Sequence, residues 1–168
     1  MNISSEVMKS EDFQQCIELL KEAAKRLKTQ NVDQWSYWLD PPTDKLQWVL
    51  KGISNGEFYK ITEKDRIIAM YRLQESDELY WGKQDDEAWY IHSLVVADSH
   101  TGQAIGQKIL TQLESDALSK NISILRLDCN ALNKGLCSYY EKFGFIKVGQ
   151  VQMPYSLNAL FEKRLQAV

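Results

Sequence analysis

Tyr140, His92 and the short turn Thr101-Gly102-Gln103-Ala104-Ile105-Gly106 are the parts of this chain best suited to chemistry. The turn follows an apolar strand that ends in Leu94-Val95-Val96 and precedes a helix expected from about Ala104 to Lys120. Such a junction gathers main-chain N–H groups that have no partner inside the helix, at the positive end of its dipole. Phosphate oxygens are the ligands it suits. A phenol such as Tyr140 can give a proton to a leaving group of similar basicity, and a neutral imidazole such as His92 can accept one.

The elements that must hold these groups can be read from apolar periodicity. Ser10 is expected to cap a first helix whose stripe is Phe13, Cys16, Ile17, Leu20, Ala24 and Leu27. An aromatic loop begins at Thr29 and closes at Pro41 and Pro42. Thr43 or Asp44 is expected to cap a second helix that buries Leu46, Val49, Leu50 and Ile53 and ends near Gly56. Residues 57–62 and 66–73, joined by a polar turn, read as a hairpin. A polar loop then runs from Gln74 to Glu87. Ile122 to Cys129 is a nearly continuous apolar run, as in a strand covered on both faces. Asn133 can cap a short helix ending at Gly144. Two last strands are expected at 146–151 and 157–165, the final one with helix as its alternative.

Composition narrows the class. The chain has 168 residues, 44% hydrophobic and 26% charged, which suits one α/β domain spanning residues 1–168. A net charge of −3 argues against a nucleic-acid partner, which needs a basic stripe. No apolar run approaches the roughly 18 residues of a membrane span, and the N-terminus lacks a signal-peptide pattern. Cys16, Cys129 and Cys137 form neither an even set nor a C-x-x-C pair, which points to a reduced, cytoplasmic protein. The Cys, His and acidic residues show no metal-ligand spacing, so no metal is expected.

The order of these parts resembles the GNAT superfamily of N-acetyltransferases, closely from Ala88 to Val151 and loosely before that. The GNAT phosphate loop runs Arg or Gln, two residues, Gly, any residue, then Gly or Ala. Here Ile105 and Gly106 fit, whereas Thr101 and Ala104 depart from it. Asn133 follows Gly106 by 27 residues and Tyr140 follows Asn133 by seven, the family's usual spacing. Tyr140-Glu141-Lys142-Phe143-Gly144-Phe145 matches the family's Tyr-x-x-x-Gly-Phe ending.

The resemblance implies a GNAT fold, a central twisted sheet of six to seven strands, mixed but mostly antiparallel, flanked by about four helices. It implies acetyl-CoA as cosubstrate. Its pyrophosphate would lie on the amides of Thr101, Gly102, Gln103, Ala104, Ile105, Gly106 and Gln107. Its pantetheine arm would lie along a bulged strand at Leu94, Val95 and Val96, with Asn133 nearby. Thr101 cannot supply the usual long side-chain donor, for which His100 or Lys108 are the available substitutes. Ala104 adds a methyl group that is tolerable if its φ is negative. Cofactor binding is expected to persist, weakened.

The resemblance also gives Tyr140 a role as acid toward the departing thiolate, with a packed core ring as the plainer alternative. His92 is the first candidate for the base that takes the amine proton. Glu57, Glu87 or a backbone carbonyl with water are alternatives. Trp35 and Trp38 in the first loop and Trp81 in the later one could wall an acceptor cleft, or simply pin their loops. The expected activity is acetyl transfer to the primary amine of a small molecule by direct transfer in a ternary complex. A non-catalytic acyl-CoA-binding module, or acetylation of protein N-termini or lysines, are the alternatives. The partner is then a small amine rather than nucleic acid or membrane, and nothing in the sequence opposes a homodimer.

Overall fold

The computed structural model describes residues 3–32 and 34–166. Seven strands hydrogen-bond in the order β1-β2-β3-β4-β5-β7-β6, within the expected range for the sheet. They are β1 (Glu6–Val7), β2 (Phe58–Glu63), β3 (Arg66–Gln74), β4 (Trp89–Val96), β5 (Ile124–Asn130), β6 (Ile146–Gln152) and β7 (Leu157–Arg164). The helices are α1 (Phe13–Thr29), α2 (Thr43–Ser54), the one-turn α3 (Glu78–Trp81), α4 (Ile105–Ser119) and α5 (Lys134–Lys142). β4 and β5 are parallel, while β1–β2, β2–β3, β5–β7 and β6–β7 are antiparallel. The fold is therefore the expected mixed, mostly antiparallel α/β sheet.

The chain divides into two compact units, one holding residues up to Leu73 with Ser93–Ile109, the other Gln74–His92 with the residues from Leu110 onward. In the first, α1 buries Cys16, Ile17, Leu20 and Ala24 as its stripe predicts, beside Val49, Ile53, Phe58 and Met70. Lys64 and Asp65 take left-handed φ values of 49° and 65°, the turn that sets the β2–β3 register. In the second, Leu110, Leu113, Leu125, Leu127, Phe145 and Phe161 are buried. Gly144, at φ 96°, closes α5, and the Phe145 N–H donates to the Tyr140 carbonyl at 3.0 Å.

Several local expectations are corrected. Ser10 lies in a 3-10 turn (Ser10–Asp12), and the buried Asp12 carboxylate ties that entry by accepting from the Lys9 N–H at 2.8 Å and from Lys60. Burial pushes the Asp12 carboxyl up, but the Lys60 and Lys9 hydrogen bonds outweigh it and leave it below the ordinary range. Pro42, not Thr43 or Asp44, is the N-cap of α2, and Leu50 is exposed. The last segment is a strand because Leu157–Arg164 completes the ladder between β5 and β6.

Gly52 on α2 is fixed by close packing. A methyl group there would lie 2.5 Å from Cε2 of Phe58 and 2.9 Å from Cζ of Arg72. That arginine is itself pinned by Glu57 at 2.5 Å and by the Trp48 ring. Gly52→Ala should therefore destabilise the protein by about 1–3 kcal/mol, overturning the usual gain of alanine in a helix. Urea denaturation measures this directly.

Candidate active site

In the first unit, a 3-10 turn (Asp98–His100) leads from β4 into the glycine turn. Its start is held from α1, where Glu22 accepts the Asp98 N–H at 2.9 Å and Arg26 reaches the Val96 carbonyl and the Asp98 carboxylate. Thr101 donates its hydroxyl to the Asp98 carbonyl at 2.9 Å, and Gln103 reaches the Ser99 carbonyl at 3.4 Å. His100 faces Glu63 at 3.1 Å and the Ser99 hydroxyl at 2.8 Å, so it is engaged within this turn.

The Lys108 N–H bonds the Ala104 carbonyl at 3.1 Å, so the amides of Ile105 and Gly106 precede the first helical bond. Ala104 has φ +57°, so the condition that its φ be negative is not met. A left-handed residue followed by a right-handed one turns successive N–H groups to the same side, an anion-binding nest. Gly102, at φ 79°, would meet nothing within 4 Å even with a side chain. The left-handed conformation costs an L-residue about 1–2 kcal/mol, partly offset by alanine's more restricted unfolded state. Ala104→Gly should thus raise stability by up to about 1 kcal/mol, measurable by thermal unfolding at constant pH.

In the second unit, Asn133 caps α5 by accepting the Leu136 N–H at 3.1 Å. On the same helix, Tyr140 is 7% exposed, with its ring against Tyr139, Phe145 and Phe161. Burial pushes its phenol well above the ordinary value, and the nearby Cys129, Tyr139, Asp128 and Cys137 add to this. The Cys129 and Cys137 thiols stand 3.6 Å apart, one on β5 and one on α5. Oxidation by diamide should join them, each thiol losing one hydrogen to the reagent; intact-mass and peptide analysis would locate the bond. Cys16, fully buried with its thiol donating to the Met70 sulfur at 3.5 Å rather than facing another thiol, should stay unmodified.

His92 sits where the β4–β5 ladder ends, since the last paired residues are Ile91 and Leu127. Asp128 is the next residue on β5. Ser93, at φ 50°, breaks the regular backbone of β4 immediately afterwards. Nε2 of His92 lies 3.1 Å from Oδ2 of Asp77, and Nδ1 lies 3.6 Å from Oδ1 of Asp128. Sequence spacing gave no sign of this group, because its members come from a loop and two separate strands. Their ligand atoms all lie within 4.8 Å of one another, a grouping that could hold a metal ion.

Comparison with known proteins places the chain in a family. The sequence model of the Acetyltransferase (GNAT) family matches residues 17–145. The chain belongs to that family. It is 27% identical over 162 residues to the uncharacterized N-acetyltransferase YesJ of Bacillus subtilis, covering 94% of this chain and 87% of that one. A GNAT acetyltransferase from Streptococcus agalactiae superposes with a TM-score of 0.80 at 16% identity, covering 98% and 96% of the two chains. One from Listeria monocytogenes gives 0.76 at 20% identity, covering 97% and 95%. The PaiA N-acetyltransferase of Thermoplasma acidophilum, solved with coenzyme A, gives 0.67 at 18%, covering 98% and 99%.

The remaining candidates of this GNAT chain occupy varied surroundings. Trp38 is 3% exposed and packs in the core of the first unit, which makes packing its observed role. Trp35 is half-buried against the same core with φ 62°, a conformation rare for a bulky side chain. Trp81 packs on Tyr90 at a centroid distance of 5.9 Å, under the Arg126 guanidinium. Glu57 is engaged by Arg72, and Glu87 is exposed. Asp77 and Asp128 are the residues that sequence reasoning missed. Asp77 lay in an acidic stretch read as one polar loop, whereas it is the N-cap of α3 and accepts the Tyr80 N–H at 3.3 Å.

Proposed function

We propose that this GNAT acetyltransferase moves the acetyl group of acetyl-CoA to the primary amine of a small molecule by direct transfer, in the cytoplasm. The observation that carries the reading is the nest of amides at Ala104–Gly106, at the head of a 15-residue helix. It suits a diphosphate through main-chain groups, so the missing long side chain at Thr101 costs less than its absence from the motif suggests. The Thermoplasma protein of similar fold, solved with coenzyme A, supports the choice of cosubstrate. The main chain of Leu94, Val95 and Val96, beyond the break at Ser93, would take the pantetheine arm as an added strand.

Acetyl-CoA supplies a thioester whose carbon an uncharged amine can attack. This chain's residues must then manage protons and charge. His92 takes a proton from the acceptor's ammonium group, exposing the nitrogen lone pair. An amide of the bulged strand hydrogen-bonds the carbonyl oxygen as it gains charge. Tyr140 protonates the sulfur. Burial raises the phenol, but an environment that raises a phenol also raises a thiol, so the two remain matched for proton transfer.

The test is a panel of alkyl diamines, arylalkylamines and amino sugars, with release of the CoA thiol followed by colour reagent and acetylated product by mass spectrometry. Turnover of at least one amine is expected. Acetyl-CoA binding with no acceptor turned over would leave a non-catalytic binding module, and acetylation confined to protein N-termini or lysines would reassign the substrate class.

A further inference from the structure

Two carboxylates and an imidazole from three separate segments converge in the second unit, and the scheme above uses the imidazole alone. Each carboxylate has one oxygen tied down and the other turned inward. Oδ1 of Asp77 accepts the Tyr80 N–H at 3.3 Å, while its Oδ2 is buried without a hydrogen-bond partner, 3.1 Å from Nε2 of His92. Oδ2 of Asp128 accepts from Asn158 at 2.6 Å, and Asn158 is held in turn by the Ser156 hydroxyl. Its Oδ1 stands 3.6 Å from Nδ1 of the same ring. The side chains of Asp77, Asp128 and His92 are 7%, 9% and 11% exposed. Carboxylates buried this deeply are costly unless a cation meets them. One oxygen held from behind and one presented forward is how ligating carboxylates are fixed in metal sites.

We propose that Asp77, His92 and Asp128 bind a divalent transition-metal ion of the zinc class, and that the bound ion inhibits acetyl transfer by engaging the imidazole. The inhibition rests on the acetyl-transfer reading; the binding does not. One donor atom from each residue lies within 4.8 Å of the other two. Donors bonded to one zinc ion at roughly 2.0–2.2 Å stand about 3–3.5 Å apart, so a shift of about an ångström closes the group. The edge between Nε2 and Oδ2 of Asp77, 3.1 Å, already has this length. With the ion on Nε2, the proton of the neutral ring sits on Nδ1 and faces Asp128, the outer hydrogen bond that ligating histidines regularly make. Two carboxylates and a neutral ring carry two negative charges, which a divalent ion balances. An imidazole nitrogen among carboxylate oxygens suits zinc, whereas magnesium prefers oxygen alone and gives up its waters reluctantly. A lone pair engaged by the ion cannot take the acceptor's proton, and hence the inhibition.

The binding test uses the protein free of any affinity tag, stripped with chelator and titrated with zinc chloride alone. Calorimetry should find one zinc bound per chain. Asp77→Asn, Asp128→Asn and His92→Gln should each weaken it by at least the roughly 10- to 100-fold that losing an outer-shell partner costs. Asparagine can still cap α3 and still accept from Asn158, so both aspartate variants should fold, which circular dichroism checks. Two rival zinc sites are the Cys129–Cys137 thiol pair and His100 beside Glu63. Cys137→Ser and His100→Gln should therefore keep the parent affinity, and cobalt(II) in place of zinc should show no sulfur-to-cobalt charge-transfer absorption. No binding, binding that survives the first three substitutions, or binding lost in either of the last two would overturn the site. For an amine found in the panel, zinc held at set free concentrations by a chelator should lower kcat/KM with its midpoint at the calorimetric Kd. Excess chelator should restore it, and Asp77→Asn should need proportionally more zinc. Turnover unchanged or raised by saturating zinc would overturn the inhibition. A protein that transfers no acetyl group would defeat the activity, while calorimetry would still decide the site.

Discussion

Tyr140→Phe should lower kcat by roughly 10²- to 10⁴-fold, the usual worth of a positioned general acid. Affinity for acetyl-CoA, read by calorimetry, should change little, because that affinity is assigned to the amides ahead of α4. The substitution keeps the ring, and the ring makes the observed contacts with Tyr139, Phe145 and Phe161. A fold defect is therefore not expected, and circular dichroism at matched temperature would check it. The pH dependence adds a second readout. An acid is active in its protonated form, and burial holds the Tyr140 phenol protonated beyond its ordinary range. Loss of activity on the alkaline side attributable to this group should accordingly begin above pH ~10, the value of a free tyrosine. Equal kcat for the two proteins would remove Tyr140 from the chemistry and leave it as a core ring.

Much of the scaffold was legible because its signals are local. The α1 stripe, the polar turn between β2 and β3, the Asn133 cap and the Gly144 stop each depend on residues close in sequence. What could not be read is set by backbone conformation or by distant pairing. Ala104 looks like a mild departure from a glycine motif; only its φ of +57° shows that the left-handed geometry is kept at a steric cost. The apolar run that marks β5 as a covered strand says nothing about which of its polar residues meets His92. Asp128 stands beside His92 because β4 and β5 are parallel and their ladder stops one residue earlier. Asp77 reaches the same ring because a one-turn helix, too short for a periodic pattern, fixes its carboxylate. The same limit hid Arg126, an isolated charge in an apolar run.

Arg126 carries the largest expected effect on stability. Parallel pairing sets it beside Tyr90 on β4, and antiparallel pairing sets it opposite Glu162 on β7. The guanidinium donates to the Tyr90 hydroxyl at 2.7 Å and to Glu162 at 2.9 Å, and it lies over the Trp81 ring at 5.1 Å. Its side chain is 2% exposed and that of Glu162 is 13% exposed, so solvent screens the pair weakly. Arg126→Leu removes the buried donor shared by the Tyr90 phenol and Glu162, leaving Glu162 only the exposed Arg164 at 3.1 Å, and should cost about 3–5 kcal/mol. That is a large share of the roughly 5–15 kcal/mol that holds a domain folded. Arg126→Lys should recover only part of the loss, since an ammonium cannot serve both partners with a planar fork and stacks less well on indole. Adding Glu162→Met to Arg126→Leu should recover more, because the double variant removes the stranded charge and buries apolar groups in its place. Urea denaturation of the four proteins separates these cases. If Arg126→Leu alone were as stable as the parent, the cross-strand row Tyr90, Arg126, Glu162 would contribute nothing to folding.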